Sequence, residues 1–380
     1  MTALAPADLV LLAGEASGDL LGALLLREMR ALRPDLRCEA IGAQRLLDAG
    51  AALLADSSEW ASIGPISALG KIPVLYLTML WMARRFAKQP PRLLVPIDFG
   101  AFNLRLIMRL RRGQYRGRII YYFPPGAWLF NERQARDVAA AATPVATFPQ
   151  QRDFYRSLSL PVEYFGHPLV SAIAPRSLQP PSGGTNIIAY PGSRKEEVDL
   201  LLPVIARTAK QLASERGATF TIAASSRARA KQIETLWARA DGPAAATIVR
   251  GDAIETSRDS AHLAWVASGT AVLEVALRAI PQIAFYKISA AQYRIAQRRV
   301  PQFVHGPITL PNLVLGRPVV PELLQGDFTP ERLHELTERY LDDPRPRAEQ
   351  AAVYAELRAA LGPPDALRRI ARFMLEQMPA

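Results

Sequence analysis

Short apolar runs alternate along the chain with segments of helical spacing, and each run ends in a polar turn. The first run, residues 9–13, stops at Gly14 and is followed by a leucine-rich segment with apolar residues three and four positions apart. Four later runs stop in the same way, after residues 97, 123, 190 and 267. This alternation predicts strands followed by helices, and therefore parallel α/β sheets. Ligands bind such sheets where strands end, so the polar turns are the places to search for functional residues.

A Pro- and Gly-rich segment over residues 174–186 divides this pattern into two halves. It has no hydrophobic periodicity, which is typical of a linker, and 380 residues are enough for two domains. We predict an N-terminal domain over residues 1–175, a C-terminal domain over residues 186–345, and final helices over residues 346–380 that return to the N-terminal domain. The predicted fold is α/β, with two doubly wound, Rossmann-like domains facing each other across a cleft.

The composition is that of a folded protein, with 49% hydrophobic and 21% charged residues. Cys38 is the single cysteine, which excludes an internal disulfide and is typical of a reducing compartment. One thiol and four scattered histidines show no metal-ligand spacing, so we expect no bound metal. No basic run precedes the first apolar segment, so we expect no signal peptide and a cytoplasmic location.

The net charge of +11 lies almost entirely in one segment of the chain. Residues 60–131 contain eleven Lys and Arg residues against a single acid, Asp98. A local positive field of this kind attracts phosphates, whether of a nucleic acid, of lipid head groups or of an anionic substrate.

Within this basic segment, residues 72–82 are almost wholly apolar and are followed by three cations. Eleven residues are too few to span a bilayer, which takes about 20. The pattern fits either a core helix with a solvated end or a helix that lies on an anionic membrane surface. In the second case the candidate lipid-facing residues are Leu75, Leu77, Leu80, Trp81, Arg84 and Arg85.

Two turns of the first half carry acids. The turn after the first strand contains Glu15, Ser17 and Asp19, and it fits either a helix cap at Ser17 or Asp19 or a functional site. Asp98 ends a later strand. It fits either a helix cap or a general base, since the surrounding cations favour its ionised form.

The second half contains a candidate anion site at Gly192, Ser193 and Arg194. Ser193, with Glu196 three residues later, predicts a capping box at the start of a helix. Free backbone N–H groups at that helix start, together with Arg194 and Lys195, suit a diphosphate.

A second turn in this half reads Ser268, Gly269 and Thr270 and precedes Glu274. We place Glu274 in the first turn of the following helix. There it fits either a structural acid stabilised by the helix dipole or an acceptor of hydrogen bonds from ribose hydroxyls.

Six segments of the chain, in order, resemble the signatures of lipid-A-disaccharide synthases: residues 14–19, 98, 166–168, 192–194, 268–274 and 310–312. The resemblance implies a GT-B-type glycosyltransferase with no cofactor. It implies inverting transfer of 2,3-diacylglucosamine from UDP to the 6-hydroxyl of 2,3-diacylglucosamine 1-phosphate, giving the disaccharide 1-phosphate and UDP. It also implies peripheral attachment to the inner face of the inner membrane.

The same resemblance implies roles for individual residues. Asp98 is expected to be the general base, and Glu15, Ser17 and Asn103 are expected to position the reacting sugars. His167 matches the family pattern and is assigned no chemical role. The expected donor-binding residues are Gly192, Ser193, Arg194, Ser268, Gly269, Thr270, Glu274 and Asn312.

Four residues depart from the family pattern on the predicted acceptor side: Ala101, Pro124, Phe130 and Asn131. Because of these departures, a second hypothesis is a related UDP-sugar transferase or epimerase with a different acceptor. A third hypothesis is a nucleic-acid-binding protein that uses the arginines of residues 105–118. That segment has no recognisable RNA- or DNA-binding motif and no regular interleaving of aromatic residues, so we expect no nucleic-acid partner.

Overall fold

The computed structural model describes residues 7–58, 60, 68–125, 131–176, 183–299 and 307–379. The chain forms two compact units. The first contains Met1–Ala172 together with Leu361–Ala380, and the second contains Ile173–Ala360.

The described part of the first unit contains a seven-stranded parallel sheet. Its strands are β1 (Leu9–Ala13), β2 (Cys38–Gly42), β3 (Ala52–Asp56), β4 (Leu93–Ile97), β5 (Arg118–Tyr122), β6 (Thr143–Ala146) and β7 (Glu163–Tyr164). Its helices in this stretch are α1 (Ala16–Leu32), α2 (Gln44–Asp48), α3 (Ala68–Lys88), α4 (Gly100–Arg112), α5 (Glu132–Ala141), α6 (Pro149–Ser157) and α7 (Pro168–Ala172). The strands lie in the order β3-β2-β1-β4-β5-β6-β7.

Strand β1 is buried along its whole length, as expected for a parallel sheet covered on both faces. It pairs with β2 on one side and with β4 on the other, with Ala13 opposite Ile97. The strand order therefore reverses between β1 and β4. The turns that follow these two strands leave the same edge as neighbours, and such a switch point is where α/β sheets bind ligands.

The described part of the second unit contains a six-stranded parallel sheet. Its strands are β8 (Asn186–Tyr190), β9 (Thr219–Ala223), β10 (Ala246–Val249), β11 (Leu263–Ala267), β12 (Gln282–Tyr286) and β13 (Glu322–Leu324). Its helices are α8 (Lys195–Arg216), α9 (Arg227–Arg239), α10 (Asp252–Asp259), α11 (Thr270–Leu277), α12 (Ala290–Arg299), α13 (Leu310–Leu315), α14 (Pro330–Asp342) and α15 (Pro344–Leu361), with a short 3-10 helix at Gln325–Asp327.

The second sheet repeats the strand order of the first, as β10-β9-β8-β11-β12-β13. Its switch point lies between β8 and β11, where Tyr190 is opposite Val266. The predicted class, α/β with two doubly wound domains, is therefore confirmed. In each unit the turns that carry the candidate site residues flank the switch point.

The last helix, α16 (Ala366–Glu376), belongs to the first unit. It packs against α1 and α7, and the Leu367 N–H donates to the Ser171 hydroxyl oxygen at 3.0 Å. The segment that joins the first unit begins at Leu361, because most of α15 packs with the second unit.

His167 is enclosed where α7 meets the end of α15. Its ring is 1% exposed, packs against Phe148 and Phe123, and accepts a bond at Nδ1 from the Leu169 N–H at 3.2 Å. Burial lowers the pKa of His167 to about 3. The ring is therefore neutral at physiological pH and serves the packing of this corner.

We expect His167 to make the protein sensitive to acid. The unfolded chain binds a proton at this ring near pH 6.5 while the folded chain does so only near pH 3, so the stability it contributes is complete above pH 6.5 and is lost as the pH falls towards 3. The slope from this group is about 1.4 kcal/mol per pH unit. Denaturant unfolding at several pH values should show a shallower slope in His167→Gln. An unchanged slope in H167Q would assign the acid loss to other groups.

Candidate functional site

The turn after β1 places Glu15 and Ser17 at the switch point of the first sheet. Helix α1 begins at Ala16 with Glu15 in the N-cap position, and Ser17 lies in the first turn. The alternative that Ser17 or Asp19 caps this helix is wrong. The buried Asp19 carboxylate instead accepts bonds of 2.7, 3.0 and 3.3 Å from the backbone N–H groups of Ala43, Arg45 and Leu46. Asp19 therefore caps α2, which leaves Glu15 and Ser17 as the candidates for chemistry in this turn.

Asp98 and Phe99 adopt left-handed backbone conformations directly after β4, with φ angles of 45° and 47°. Phe123, directly after the adjacent strand β5, has a φ angle of 63°. Each such residue costs about 1–3 kcal/mol and persists only where its surroundings hold it. Backbone strain of this kind is concentrated at active sites and ligand clamps, and here it marks the carboxyl edge of β4 and β5.

Asn103 holds this strained turn in place. Its side chain is 1% exposed, and its amide donates to the carbonyl oxygens of Leu12, Ile97 and Asp98 at 3.0, 3.2 and 2.9 Å. The Tyr121 hydroxyl donates to the same Asp98 carbonyl at 2.8 Å. The Asn103 amide thus joins the ends of β1 and β4 and points at backbone. We assign Asn103 to positioning Asp98, in place of the role expected from the sequence, which was to position the reacting sugars.

The packing around this turn leaves little space for larger side chains. The Phe99 ring lies over Gly14, where an added Cβ atom would come within 2.1 Å of it. A Cβ atom on Gly100 would meet Pro125 at 2.7 Å. Asn131, one of the departures from the family pattern, caps α5 by accepting a bond from the Gln134 N–H at 3.1 Å. Another departure, Phe130, lies outside the described residues.

In the second unit, Arg194 is the N-cap residue of α8. The predicted capping box of Ser193 with Glu196 is wrong by one position. The Glu197 carboxylate accepts bonds from the Ser193 and Arg194 N–H groups at 3.1 and 3.2 Å, and from Arg194 Nη1 at 3.1 Å. The backbone donors expected to be free for a diphosphate therefore already hold an internal carboxylate.

Two turns of the second unit, one after β8 and one after β11, contain a glycine with a positive φ angle. Gly192 has a φ angle of 110°, and a Cβ atom there would lie 2.8 Å from the Glu197 carboxylate. Gly269, between Ser268 and Thr270 at the start of α11, has a φ angle of 155° with open space beside it. Gly192 thus lets the Glu197 carboxylate approach the backbone, and Gly269 leaves its backbone exposed to close approach by a ligand.

Glu274 lies in the second turn of α11, which begins at Thr270. Its predicted place in the first turn is wrong, so the helix dipole does not account for it. Its Oε2 accepts a bond from Arg258 Nη2 at 2.7 Å. Arg258 is 3% exposed and also binds the Glu255 carboxylate and the Tyr190 hydroxyl, each at 2.8 Å. Burial acts to lower the pKa of Arg258, but the neighbouring acids and Tyr190 raise it above its usual value. A permanently charged guanidinium thus fixes the Glu274 carboxylate.

Asn312 is buried and uses its whole hydrogen-bonding capacity within the chain. Its amide donates to the Val320 carbonyl and the Glu322 carboxylate at 2.8 and 2.7 Å. Its oxygen accepts bonds from the N–H groups of Val319 and Val320, both at 2.8 Å. We therefore assign Asn312 to shaping the loop before β13, in place of the direct donor contact expected from the sequence.

Helix α3 presents one face to the core and one apolar face to solvent. Met79, Met82 and Phe86 are at most 9% exposed, whereas Leu77 and Trp81 are 63% and 45% exposed. The interpretation of residues 72–82 as an ordinary core helix is therefore wrong. Other exposed apolar residues of this face are Ile72, Val74 and Tyr76, while Leu75 and Leu80 are half-buried, Arg84 is exposed, and Arg85 pairs with Glu39 at 2.7 Å. Among the helices of the described segments, none has the length and apolar character of a membrane span.

One surface cluster in the described residues has metal-ligand atoms close together. Oxygen and nitrogen atoms of Glu215, His334 and Glu338 lie within 4.8 Å of one another. His334 is bonded to Glu215 at 2.7 Å and Glu338 to Arg216 at 2.6 Å. These ligand atoms already have partners within the protein, so the cluster has a sufficient structural explanation.

The sequence model of the family described as lipid-A-disaccharide synthetase matches residues 9–371. The chain belongs to the lipid-A-disaccharide synthase family. Lipid-A-disaccharide synthase from Geobacter sulfurreducens is 31% identical over 383 residues, covering 97% of both chains. The synthase from Myxococcus xanthus is 32% identical over 384 residues, covering 98% of both chains.

Solved structures share the fold at low sequence identity. The UDP-GlcNAc 2-epimerase from Neisseria meningitidis, solved bound to UDP-GlcNAc, has a TM-score of 0.64 at 11% identity and covers 97% of this chain and 99% of its own. MurG from Acinetobacter baumannii has a TM-score of 0.55 at 15% identity and covers 98% and 100%. The predicted GT-B-type fold is thereby confirmed.

Membership of the lipid-A-disaccharide synthase family makes the chain a glycosyltransferase of lipid A biosynthesis, with a UDP-sugar donor and a lipid-type acceptor. Of the three functional hypotheses, the family supports the first. Sequence reasoning missed two residues of the site, Arg258 and Glu197. Glu197 could have been found by counting three residues from Arg194 as the N-cap, whereas nothing in the local pattern around Arg258 indicates that it meets Glu274.

Proposed function

We propose that the chain transfers 2,3-diacylglucosamine from UDP to the 6-hydroxyl of 2,3-diacylglucosamine 1-phosphate. The acceptor oxygen forms a bond to the anomeric carbon of the donor while the bond from that carbon to the UDP phosphate oxygen breaks. Attack from the opposite face inverts the configuration, and the products are the disaccharide 1-phosphate and UDP. The observation that carries the proposal is the strained, firmly held Asp98 at the switch point of the first sheet, in a chain of this family.

On the acceptor side, we assign Asp98 as the general base that removes the proton of the 6-hydroxyl. The bonds from Asn103 and Tyr121, and the bond from the Asp98 N–H to the Tyr122 carbonyl at 3.1 Å, all engage the backbone of Asp98. They fix where its carboxylate stands. Glu15 and Ser17, in the neighbouring turn, hold the reacting sugars in line, because correct placement supplies much of the rate of a transfer reaction.

On the donor side, we assign Arg194 and the start of α8 to the pyrophosphate. An arginine fork binds phosphate oxygens through charge-assisted bonds, and its charge stabilises the negative charge that grows on the departing UDP. The pyrophosphate competes with the Glu197 carboxylate for the Ser193 and Arg194 N–H groups. Ser268, Gly269 and Thr270 border the nucleotide, and Glu274 accepts bonds from the ribose hydroxyls.

Arg258 gives this assignment of Glu274 a direct test. Arg258→Met leaves two carboxylates without their shared cation, and breaking a buried pair costs about 3–5 kcal/mol of stability. Glu274 also loses the contact that orients it. We expect UDP to bind about tenfold more weakly, in line with the loss of a hydrogen bond to a charged group, and we expect UDP to lose its advantage over 2′-deoxy-UDP. Calorimetric titration of both nucleotides measures the two effects.

The matched control is Glu255→Gln, which removes another partner of Arg258 and leaves the bond to Glu274 intact. It should lower stability while preserving the preference for the ribonucleotide. A preserved preference in Arg258→Met as well would show that Glu274 does not read the ribose.

Both proposed substrates carry acyl chains, which accounts for the apolar face of α3. We propose that this face rests peripherally on the inner side of the inner membrane, with Leu77 and Trp81 among the acyl chains and Arg84 at the lipid phosphates. The substrates then reach the first unit without leaving the bilayer surface.

The proposed reaction is tested by release of UDP from purified protein in detergent micelles. UDP should appear only when both the acylated donor and 2,3-diacylglucosamine 1-phosphate are present. Non-acylated glucosamine 1-phosphate should replace the acceptor poorly. UDP release that does not depend on an acceptor, or that prefers a different acceptor, would contradict the proposal and favour a related UDP-sugar enzyme.

A further inference from the structure

A groove of about 880 Å³ lies between α3, α4 and α5 of the first unit. One wall is apolar and includes Met79, Leu80, Leu104 and Met108. We call the whole groove the α3–α4–α5 groove. Leu80 lies beside the exposed apolar residues of α3, so the groove continues the face that we place on the membrane.

The other feature of the groove is its positive charge. It is lined by five arginines, Arg84, Arg105, Arg109, Arg112 and Arg133, and by one acid, Asp137. The five arginines make no ion pair with any described residue. Nearby arginines behave differently.

Arg111 shows what a structural arginine looks like on the same helix. It donates to the carbonyl oxygens of Ala141, Tyr115 and Gly117 at 2.8, 2.7 and 3.0 Å. Arg105, Arg109 and Arg112 instead follow one another at spacings of four and three along α4, which puts like charges next to each other. Such neighbours repel, so three of them on one groove wall indicate that an anion completes the site.

The shape and the charge together specify the anion. The arginines suit a phosphate, and Met79, Leu80 and Met108 suit a hydrocarbon chain. A phospholipid has both groups, and so does the proposed acceptor. Position separates the two. With a rise of about 1.5 Å per residue, Arg105 lies about 8 Å along the helix from Gly100, next to Asp98, whereas Arg109 and Arg112 lie about 14 and 18 Å from it. A single hexose with its 6-hydroxyl at Asp98 could bring its 1-phosphate towards Arg105, but it is too short to place that phosphate between Arg109 and Arg112.

We propose that the α3–α4–α5 groove binds the head group of an anionic phospholipid of the bilayer. Its phosphate sits among Arg105, Arg109 and Arg112, and its acyl chains run along the apolar wall towards Leu77 and Trp81. The inference rests on the proposed function in one respect, that acylated substrates bring the first unit to a membrane. The bound lipid would fix how the first unit lies on that membrane.

The test uses monomeric short-chain lipids, because these report a site separately from general adsorption to a surface. Dihexanoyl phosphatidylglycerol should bind the full chain with one-to-one stoichiometry in calorimetry, whereas dihexanoyl phosphatidylcholine and inorganic phosphate should bind at least tenfold more weakly. The combined change Arg105→Gln, Arg109→Gln and Arg112→Gln should reduce phosphatidylglycerol binding by about tenfold or more, since each basic residue adds to attraction for anionic lipid. Ala87→Trp, which fills an exposed part of the groove without changing charge, should also weaken it.

The matched control removes three exposed cations from α9 in the second unit: Arg227→Gln, Lys231→Gln and Arg239→Gln. It should bind phosphatidylglycerol as the wild type does. Equal loss in the control would reduce the effect to net charge and overturn the proposal. Equal binding of the two short-chain lipids would show that the groove does not recognise an anionic head group and would also overturn it. If the triple arginine variant showed a raised KM for the acylated acceptor in micelles but unchanged phosphatidylglycerol binding, the groove would be assigned to the acceptor. That result would also overturn the proposal. These binding measurements need no turnover, so failure of the proposed reaction would be seen separately.

Discussion

Asp98→Asn is expected to abolish transfer while leaving UDP binding unchanged. Loss of a positioned general base lowers kcat by about 10²- to 10⁴-fold. Asn suits this test because its side chain has nearly the shape of Asp and because it tolerates the left-handed backbone that Asp98 adopts. The bonds from Asn103 and Tyr121 to the backbone of residue 98 remain available. Steady-state kinetics of UDP release and calorimetric titration of UDP give the two quantities.

The matched control is Asp35→Asn, at an exposed acid that pairs with Arg33 on the surface of the first unit. Its kcat should equal that of the wild type. An Asp98→Asn variant within a few-fold of wild-type kcat would remove Asp98 as the base. A variant that also lost UDP affinity would indicate a wider disturbance than removal of one proton acceptor.

Arg194→Ala is expected to weaken UDP binding by about 10- to 100-fold, because a hydrogen bond to a charged group is worth about 1.5–3 kcal/mol. The substitution also frees Glu197 from its bond to the guanidinium, and leaves that carboxylate on the Ser193 and residue 194 N–H groups. The internal anion then competes with the pyrophosphate without the Arg194 guanidinium to neutralise it. We expect kcat to fall as well, since the charge on the leaving UDP loses its partner.

Lys195→Ala is the neighbouring control. The Lys195 side chain is 61% exposed and pairs with Asp199 in the second turn of α8. Removing it should change UDP affinity by less than about threefold, because exposed ion pairs contribute little. Equal losses at residues 194 and 195 would reduce the role of Arg194 to general positive charge and contradict its place at the pyrophosphate.

The fold could be predicted from sequence because the apolar runs, the polar turns and the helical spacing all indicate parallel α/β units. The apolar run of β1 ends at Gly14, and the same sequence of strand, polar turn and helix recurs at β8. Parallel strands meet at one edge, so acids and glycines in the turns were expected to gather there, and the strand orders place those turns at the two switch points.

The finer details of the site could not be predicted because they depend on contacts between distant residues. Asp19 resembles a local helix cap, yet it caps α2, which begins 25 residues later. Asn103 matches the family pattern and was expected to position the reacting sugars, but its amide donates to backbone carbonyl oxygens at the ends of two strands. Glu274 was expected in the first turn of its helix, but α11 begins at Thr270 and Glu274 lies in the second turn. Its carboxylate is held by Arg258, which is 16 residues away in the sequence.

For helix α3, the burial of its side chains distinguishes two interpretations that the sequence could not separate. Its apolar run fits a core helix and a membrane-surface helix equally well. The face with Met82 and Phe86 is buried in the core of the first unit, and the face with Leu77 and Trp81 is exposed to solvent. A contiguous exposed apolar face on a single chain is typical of an interaction surface.

Product identity tests the central claim most directly. Wild-type protein is incubated with donor labelled with ¹³C in its glucosamine and with 2,3-diacylglucosamine 1-phosphate, and the products are identified by NMR and mass spectrometry. We predict one equivalent of UDP per disaccharide 1-phosphate, a β-linked anomeric carbon from an α-linked donor, and about a hundredth or less of the wild-type disaccharide from Asp98→Asn in the same time. A free labelled sugar, a donor epimerised at carbon 2, or an α-linked disaccharide would contradict it.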